Sequence, residues 1–249
     1  MSLVPSWTEA VFALGAGERI VGATDYCVHP AAALRQVARV GGTKNPAVDR
    51  IVALEPDWVI ANREENRRRD VESLEARGIP VWVTYPRSVA EALADVRSLG
   101  HALQTETAAE HLVAEVGEAL LRARERAGAS EVRCLALIWK DPFMAVGRDT
   151  FASDLLRCCG GVNAIGDDAE RRYPRLDLEG LCRLDPEVLL LPTEPYAFSA
   201  RERNELLGLD LAAARSGRIH VVEGELLTWY GPRMARAIDV FSQLLHGAA

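Results

Sequence analysis

At 249 residues, with 49% hydrophobic and 26% charged side chains, the chain has the composition of a globular protein of one large or two modest domains, which excludes disordered and fibrous classes. A formal net charge of −7 argues against nonspecific nucleic-acid binding, which depends on Lys and Arg neutralising phosphates. No apolar run approaches the roughly 20 residues of a transmembrane helix.

Met1-Ser2-Leu3-Val4-Pro5 has neither a basic region nor an apolar core, so no secretory signal is read in this chain. Ser2 to Val4 reads as a strand ended by Pro5. Ser6 or Thr8 then caps a helix carrying Trp7, Val11, Phe12 and Leu14, and Gly15 and Gly17 stop it. A strand over Arg19 to Thr24 follows. Leu54-Glu55-Pro56-Asp57-Trp58-Val59-Ile60-Ala61 reads as a helix end, a turn forced toward extended geometry before Pro56, and a buried parallel strand. A helix from about Glu65 to Arg77 ends at Gly78, and Pro80 to Thr84 is the next strand. The run Arg67-Arg68-Arg69 is a solvated helix face, its field cancelled by Glu64, Glu65, Asp70 and Glu72.

From Ser88 to Ala127 the strand signal disappears. Ser88 and Glu91 form a capping box for helix to Leu103, and Thr105 or Thr107 starts another. Strand Val132 to Trp139 resumes the α/β rhythm. It is followed by helix Thr150 to Cys159, helix Leu178 to Leu184, strand Val188 to Leu191, helix Ala200 to Leu207 and strand Arg218 to Val222. A closing helix after Pro232 buries Met234, Ile238, Phe241 and Leu245.

The segment at Leu54 recurs as Leu184-Asp185-Pro186-Glu187-Val188-Leu189-Leu190-Leu191, at a constant offset of 130 residues. The pattern predicts an α/β fold of two Rossmann-like lobes with parallel sheets: an N-terminal lobe over 1–87, a connecting backbone helix over 88–128 and a C-terminal lobe over 129–249. Ligands of such sheets bind at strand carboxyl ends, which makes a cleft between lobes the expected site.

Aromatic residues gather where strands hand over to loops: Trp7, Tyr26, Tyr85, Trp139, Tyr196 with Phe198, and Trp229-Tyr230. Such rings suit a large, flat, partly apolar ligand. Glu64 and Glu194 occupy equivalent repeat positions. With Glu65 they read either as exposed helix-terminal acids or as docking groups for basic residues on a two-fold symmetric partner. Cys27 and His29, in Cys-x-His spacing, are candidates for a soft metal or for the axial position of a metallated macrocycle. The other cysteines show no CxxC spacing, and no GxSxG, Walker, HExxH or GxGxxG signature is present, so no enzyme and no resident cofactor is expected.

Ser2 to Glu9, Phe12 to Gly15, Val21 to Pro30, Gly41-Gly42-Thr43-Lys44-Asn45-Pro46, Ile51 to Asp57, Leu227 to Arg233 and the repeat at Leu184 together resemble the helical-backbone substrate-binding proteins of ABC importers, and most of all the cobalamin-binding branch. The resemblance covers essentially the whole chain. It implies a monomer that holds cobalamin or another metal chelate between two lobes through Trp7, Tyr26, His29, Tyr85, Trp139, Tyr196, Trp229 and Tyr230. It also implies one glutamate per lobe, from Glu64, Glu65 and Glu194, docking on arginines of a permease dimer. A cobalamin-binder pattern that places the first acid further along falls on Arg68. The implied location is periplasmic or cell-surface, against which stands the missing signal. Haem or a ferric siderophore is the alternative ligand, and a cytosolic chelatase-like or corrinoid-handling enzyme the alternative class.

Overall fold

The computed structural model describes residues 1–166 and 171–247. The chain divides into two compact units, one of Met1–Pro86, Ala90–Ala114 and Tyr230–Pro232, the other of Arg87–Val89, Glu115–Trp229 and Arg233–Ala249.

In the first unit Ser2 is the seam of the sheet. It bridges in parallel to Ala23 and to Ile60, with Ser2 N donating to the Gly22 carbonyl at 3.1 Å and Leu3 N to that of Ile60 at 2.9 Å. The parallel pair Gly22–Ala23 and Ala38–Arg39 is thereby joined to the parallel pair Val59–Asn62 and Val81–Thr84. The strand expected over Ser2 to Val4 is reduced to the one bridging residue Ser2, because Pro5 takes the first position of helix Pro5–Ala13. Val4, not Ser6 or Thr8, is its N-cap; the Thr8 hydroxyl donates instead to the Val4 carbonyl at 2.9 Å. The strand expected over Arg19 to Thr24 shrinks to Gly22–Ala23, since Gly17–Arg19 coils into a 3-10 turn. The helix expected from Glu65 starts at Arg68 and runs Arg68–Glu75. Leu3, Val40, Ile51, Val59, Leu74 and Ile79 form this unit's core cluster.

In the second unit Val132–Trp139 is the central strand. It pairs in parallel with Val188–Pro192, which pairs in parallel with Ile219–Val222. On its other edge Gly161–Asn163 joins in parallel near its start, and Phe143–Ala145 folds back antiparallel near its end. Arg175–Leu176 adds antiparallel to Phe143–Ala145, so this sheet is mixed rather than wholly parallel. Helix Arg233–His246 buries Met234, Ile238, Phe241 and Leu245, as their three- and four-residue spacing requires.

The repeat survives in three dimensions. Helices Val48–Ala53 and Leu178–Leu184 precede strands Val59–Asn62 and Val188–Pro192. Glu55 and Asp185 leave those helices at φ 45° and 40°, in the left-handed region rather than the extended one. The following proline disfavours right-handed helix for both, and a left-handed residue ends a helix as well as an extended one does. The stretch over 88–128 is two helices, Val89–Leu103 and Glu106–Ala127, broken where Gln104 adopts φ 55°.

On the first of these, Glu91 and Asp95 stand one turn apart with like charge. Burial, reinforced by Glu91, pushes the Asp95 carboxyl from 3.8 up to about 6. The native state therefore holds a proton that the unfolded chain releases, so this group's contribution is favourable below about pH 4 and is lost as pH rises through about 6. Asp95→Asn should raise stability at pH 7.5 by about 1 kcal/mol, after discounting for the group's partial exposure. Melting curves at pH 7.5 and pH 4 check this: the gain should vanish at the lower pH, and an equal gain at both would refute it.

Candidate functional site

The first unit offers one strongly exposed aromatic ring, Tyr26, at 63%. Its loop follows strand Gly22–Ala23 and is held from beneath by Arg39, whose guanidinium donates to the carbonyls of Thr24 and Cys27 at 2.7 Å and of Leu34 at 3.3 Å. A Cβ at Gly42 would meet the Tyr26 ring at 3.4 Å, ordinary contact distance, so the ring lies beside the hairpin Gly41–Gly42 and Asn45–Pro46. A braced backbone beneath an exposed ring presents aromatic area at little entropic cost. His29 is half-buried on the same loop. Cys27 is fully buried, its sulfur 3.1 Å from the hydroxyls of Thr8 and Thr24, and burial raises its thiol pKa. A thiol kept protonated and shut from solvent is a poor metal ligand. Among the described residues no group of three or more His, Cys, Asp and Glu could hold a metal ion.

Glu64 and Glu65 lie in a tight turn shaped by two buried amides. Asn62 Oδ1 accepts from Glu64 N at 2.8 Å, and Asn66 Oδ1 accepts from Asn62 N at 2.7 Å. Asn66 Nδ2 donates to the Thr43 carbonyl at 3.0 Å, and Lys44 donates to that of Glu64. Both glutamates are half-buried, not exposed as their neighbours in sequence suggest. The two asparagines carry the turn's geometry.

Trp7 and Tyr230 are core residues of the first unit. Trp7 is at 0% exposure, donates from Nε1 to Thr84 Oγ1 at 2.9 Å, and stacks on Tyr230 with centroids 5.6 Å apart. Trp82 continues the row at 5.9 Å. Tyr230 itself is 4% exposed. Tyr85 is half-buried beneath the Arg63 guanidinium, 4.9 Å from its ring.

In the second unit Trp139 is 43% exposed. Tyr196 meets it edge-on at 5.8 Å and packs on buried Phe198 at 4.6 Å. Trp229 is only 8% exposed. Its Nε1 donates to Glu194 Oε1 at 2.9 Å, and the Arg233 guanidinium stands over its ring at 5.0 Å. Glu194 is half-buried, and burial raises its carboxyl pKa, so it too differs from the exposed acid expected. Of the eight aromatic and histidine residues named from sequence, Tyr26 and Trp139 carry exposed rings, His29, Tyr85 and Tyr196 are half-buried, and Trp7, Trp229 and Tyr230 are buried.

A model of the periplasmic binding protein family matches residues 1–218. The chain belongs to the periplasmic binding protein family. Its members are substrate-binding proteins, not enzymes. Over 254 aligned residues the chain is 26% identical to the uncharacterized ABC transporter substrate-binding lipoprotein YvrC of Bacillus subtilis, with 99% of this chain and 79% of that one covered. The periplasmic heme-binding protein of Pseudomonas aeruginosa has a similar structure, with TM-score 0.85, 25% identity, and 100% and 92% of the two chains covered. The vitamin B12-binding protein BtuF of Vibrio cholerae gives TM-score 0.83 at 22% identity, with 98% and 94% covered. The fold is that of the class III periplasmic binding proteins, mixed α/β with parallel strands and long helices. Among the described residues no helix is long and apolar enough to cross a membrane.

Proposed function

We propose that this protein captures cobalamin or a related corrinoid outside the cytoplasm and delivers it to the permease dimer of an ABC importer. Relatives named for vitamin B12 binding and for ABC transport support the reading. The observation that carries it is Tyr26: a solvent-exposed ring on a loop braced by three hydrogen bonds from Arg39 is built to meet a bulky, partly apolar ligand. Trp139 offers a second such ring. Glu64 and Glu65, on a turn fixed by Asn62 and Asn66, are the groups that meet basic residues of the permease.

Titration with cyanocobalamin, followed by absorbance and calorimetry, is the test, and saturable binding is expected. Tyr26→Ala should weaken it about tenfold, the range of one aromatic contact, while moving stability by less than about 0.5 kcal/mol because the ring packs little. Loss of stability without loss of affinity would remove Tyr26 from the site.

Haem is the second reading, favoured by the heme-binding structure at 25% identity and by the phenolic oxygen of Tyr26, a donor type that ligates haem iron. Hemin in place of cyanocobalamin separates the two. Saturation by hemin alone, with a spectrum that Tyr26→Phe abolishes, would overturn the corrinoid reading.

A further inference from the structure

Glu194 follows strand Val188–Pro192 and is held on several sides within the second unit. Its Oε1 accepts the Trp229 indole N–H at 2.9 Å, while the Thr228 hydroxyl donates to the Gly224 carbonyl at 3.1 Å. The neighbouring Thr193 Oγ1 accepts from Gly224 N at 3.0 Å. A Cβ at Gly224 would run into Glu194 Cγ and stand 2.6 Å from its backbone nitrogen and 2.9 Å from its carbonyl oxygen, so the glycine lets the two segments interlock. On the indole's face Arg233 is itself pinned by Glu225 at 2.6 Å. A carboxylate already committed to an indole N–H gives up that bond before it can meet a partner's cation.

We propose that Glu194 is a positioning residue for Trp229, fixing the indole by its edge while Arg233 covers its face, and that through Trp229 it sets the strength of ligand binding instead of meeting the permease. A ring whose rotamer is fixed before the ligand arrives loses no freedom on contact. The part concerning affinity rests on the function proposed above and on Trp229 joining Tyr26 and Trp139 as a ligand contact; the part concerning the Trp229 rotamer rests on neither. Carboxylate and carboxamide both offer an acceptor oxygen to the indole, whereas alanine offers none.

The experiment compares Glu194→Ala, Glu194→Gln, Trp229→Phe and the Glu194→Ala/Trp229→Phe double variant in the full chain, each checked for folding by its melting curve. Trp229 emission is taken as the spectrum of each protein minus that of its Trp229→Phe counterpart, with acrylamide quenching alongside. Cyanocobalamin and hemin are the ligand probes. Glu194→Ala should shift Trp229 emission to the red, increase its quenching and weaken the bound probe about tenfold, the range of one aromatic contact. The double variant should be no weaker than Trp229→Phe, since the carboxylate acts through the indole. Glu194→Gln should stay within about twofold of the parent, because it keeps the acceptor. Unchanged emission in Glu194→Ala overturns the proposal. So does a shifted emission with full affinity, or additive losses in the double variant. If neither probe binds the parent protein, the proposed function falls, and the emission arm still decides whether Glu194 holds Trp229.

Discussion

Trp7→Ala should cost about 3–5 kcal/mol of stability, the range for removing a buried tryptophan. The residue is fully enclosed, and its ring bears on Tyr230 at 5.6 Å and on Trp82 at 5.9 Å. Its deletion leaves a void the size of an indole between partners that are themselves anchored. It also strips the indole donor from Thr84 Oγ1, which sits in a buried network. Thr84 accepts from Asn62 Nδ2 at 3.1 Å and donates to the Ala61 carbonyl at 3.1 Å. Denaturant unfolding measures the loss, and hydrogen exchange locates it: amides of Val59–Asn62 and Val81–Thr84 should exchange faster. Trp7→Phe, which keeps most of the ring contact but not the N–H, should cost about 1–2 kcal/mol, a modest cavity plus one hydrogen bond. A stable Trp7→Ala protein with weakened ligand binding would return Trp7 to the ligand site and contradict its place in the core.

Trp7 also marks where sequence reasoning stops. Alternation and helical spacing are local, so Val132–Trp139, Leu178–Leu184 and Ala200–Leu207 appear with the bounds expected of them. The 130-residue repeat is legible for the same reason: a helix, an acid-proline break and an apolar strand form one local unit. Phe143–Ala145 and Arg175–Leu176 are too short to show a period, and only their pairing with Val132–Trp139 and with each other makes them strands. Aromatic residues at strand ends are likewise visible, but burial is decided by partners far along the chain. Trp7 finds Thr84 77 residues away, and Trp229 finds Glu194 35 residues away. The residues that shape the candidate site without touching a ligand, Arg39, Asn62, Asn66 and Gly224, carry no motif. Their roles arise from carbonyls, amides and backbone atoms that the sequence does not bring together.

Gly224→Ala should be the most damaging single methyl in the second unit's candidate site, at about 1–3 kcal/mol for overpacking against groups that cannot step aside. The glycine opens helix Gly224–Thr228, and the atoms a methyl would meet are the Glu194 Cγ, which a side-chain rotation can move, and the Glu194 backbone nitrogen at 2.6 Å and carbonyl oxygen at 2.9 Å, which it cannot. Relief requires the Glu194 backbone to move away from the helix that leads to Trp229. Such a shift stretches the 2.9 Å bond between Glu194 Oε1 and Trp229 Nε1, because acceptor and donor sit on the two segments being forced apart. The variant should therefore combine a lowered melting temperature with the red-shifted Trp229 emission expected of Glu194→Ala, although both partners of the bond are still present. Glu194→Gln at the same pH supplies the contrast. It removes a carboxylate whose pKa burial raises, so at neutral pH it should stabilise the fold. A raised native pKa means the native state binds the extra proton, so this gain should fade as the pH falls and the parent carboxyl protonates. Gly224→Ala with an unchanged melting temperature and unchanged emission would mean that the two segments are free to separate, and the interlock between Glu194 and Gly224 would have no energetic weight.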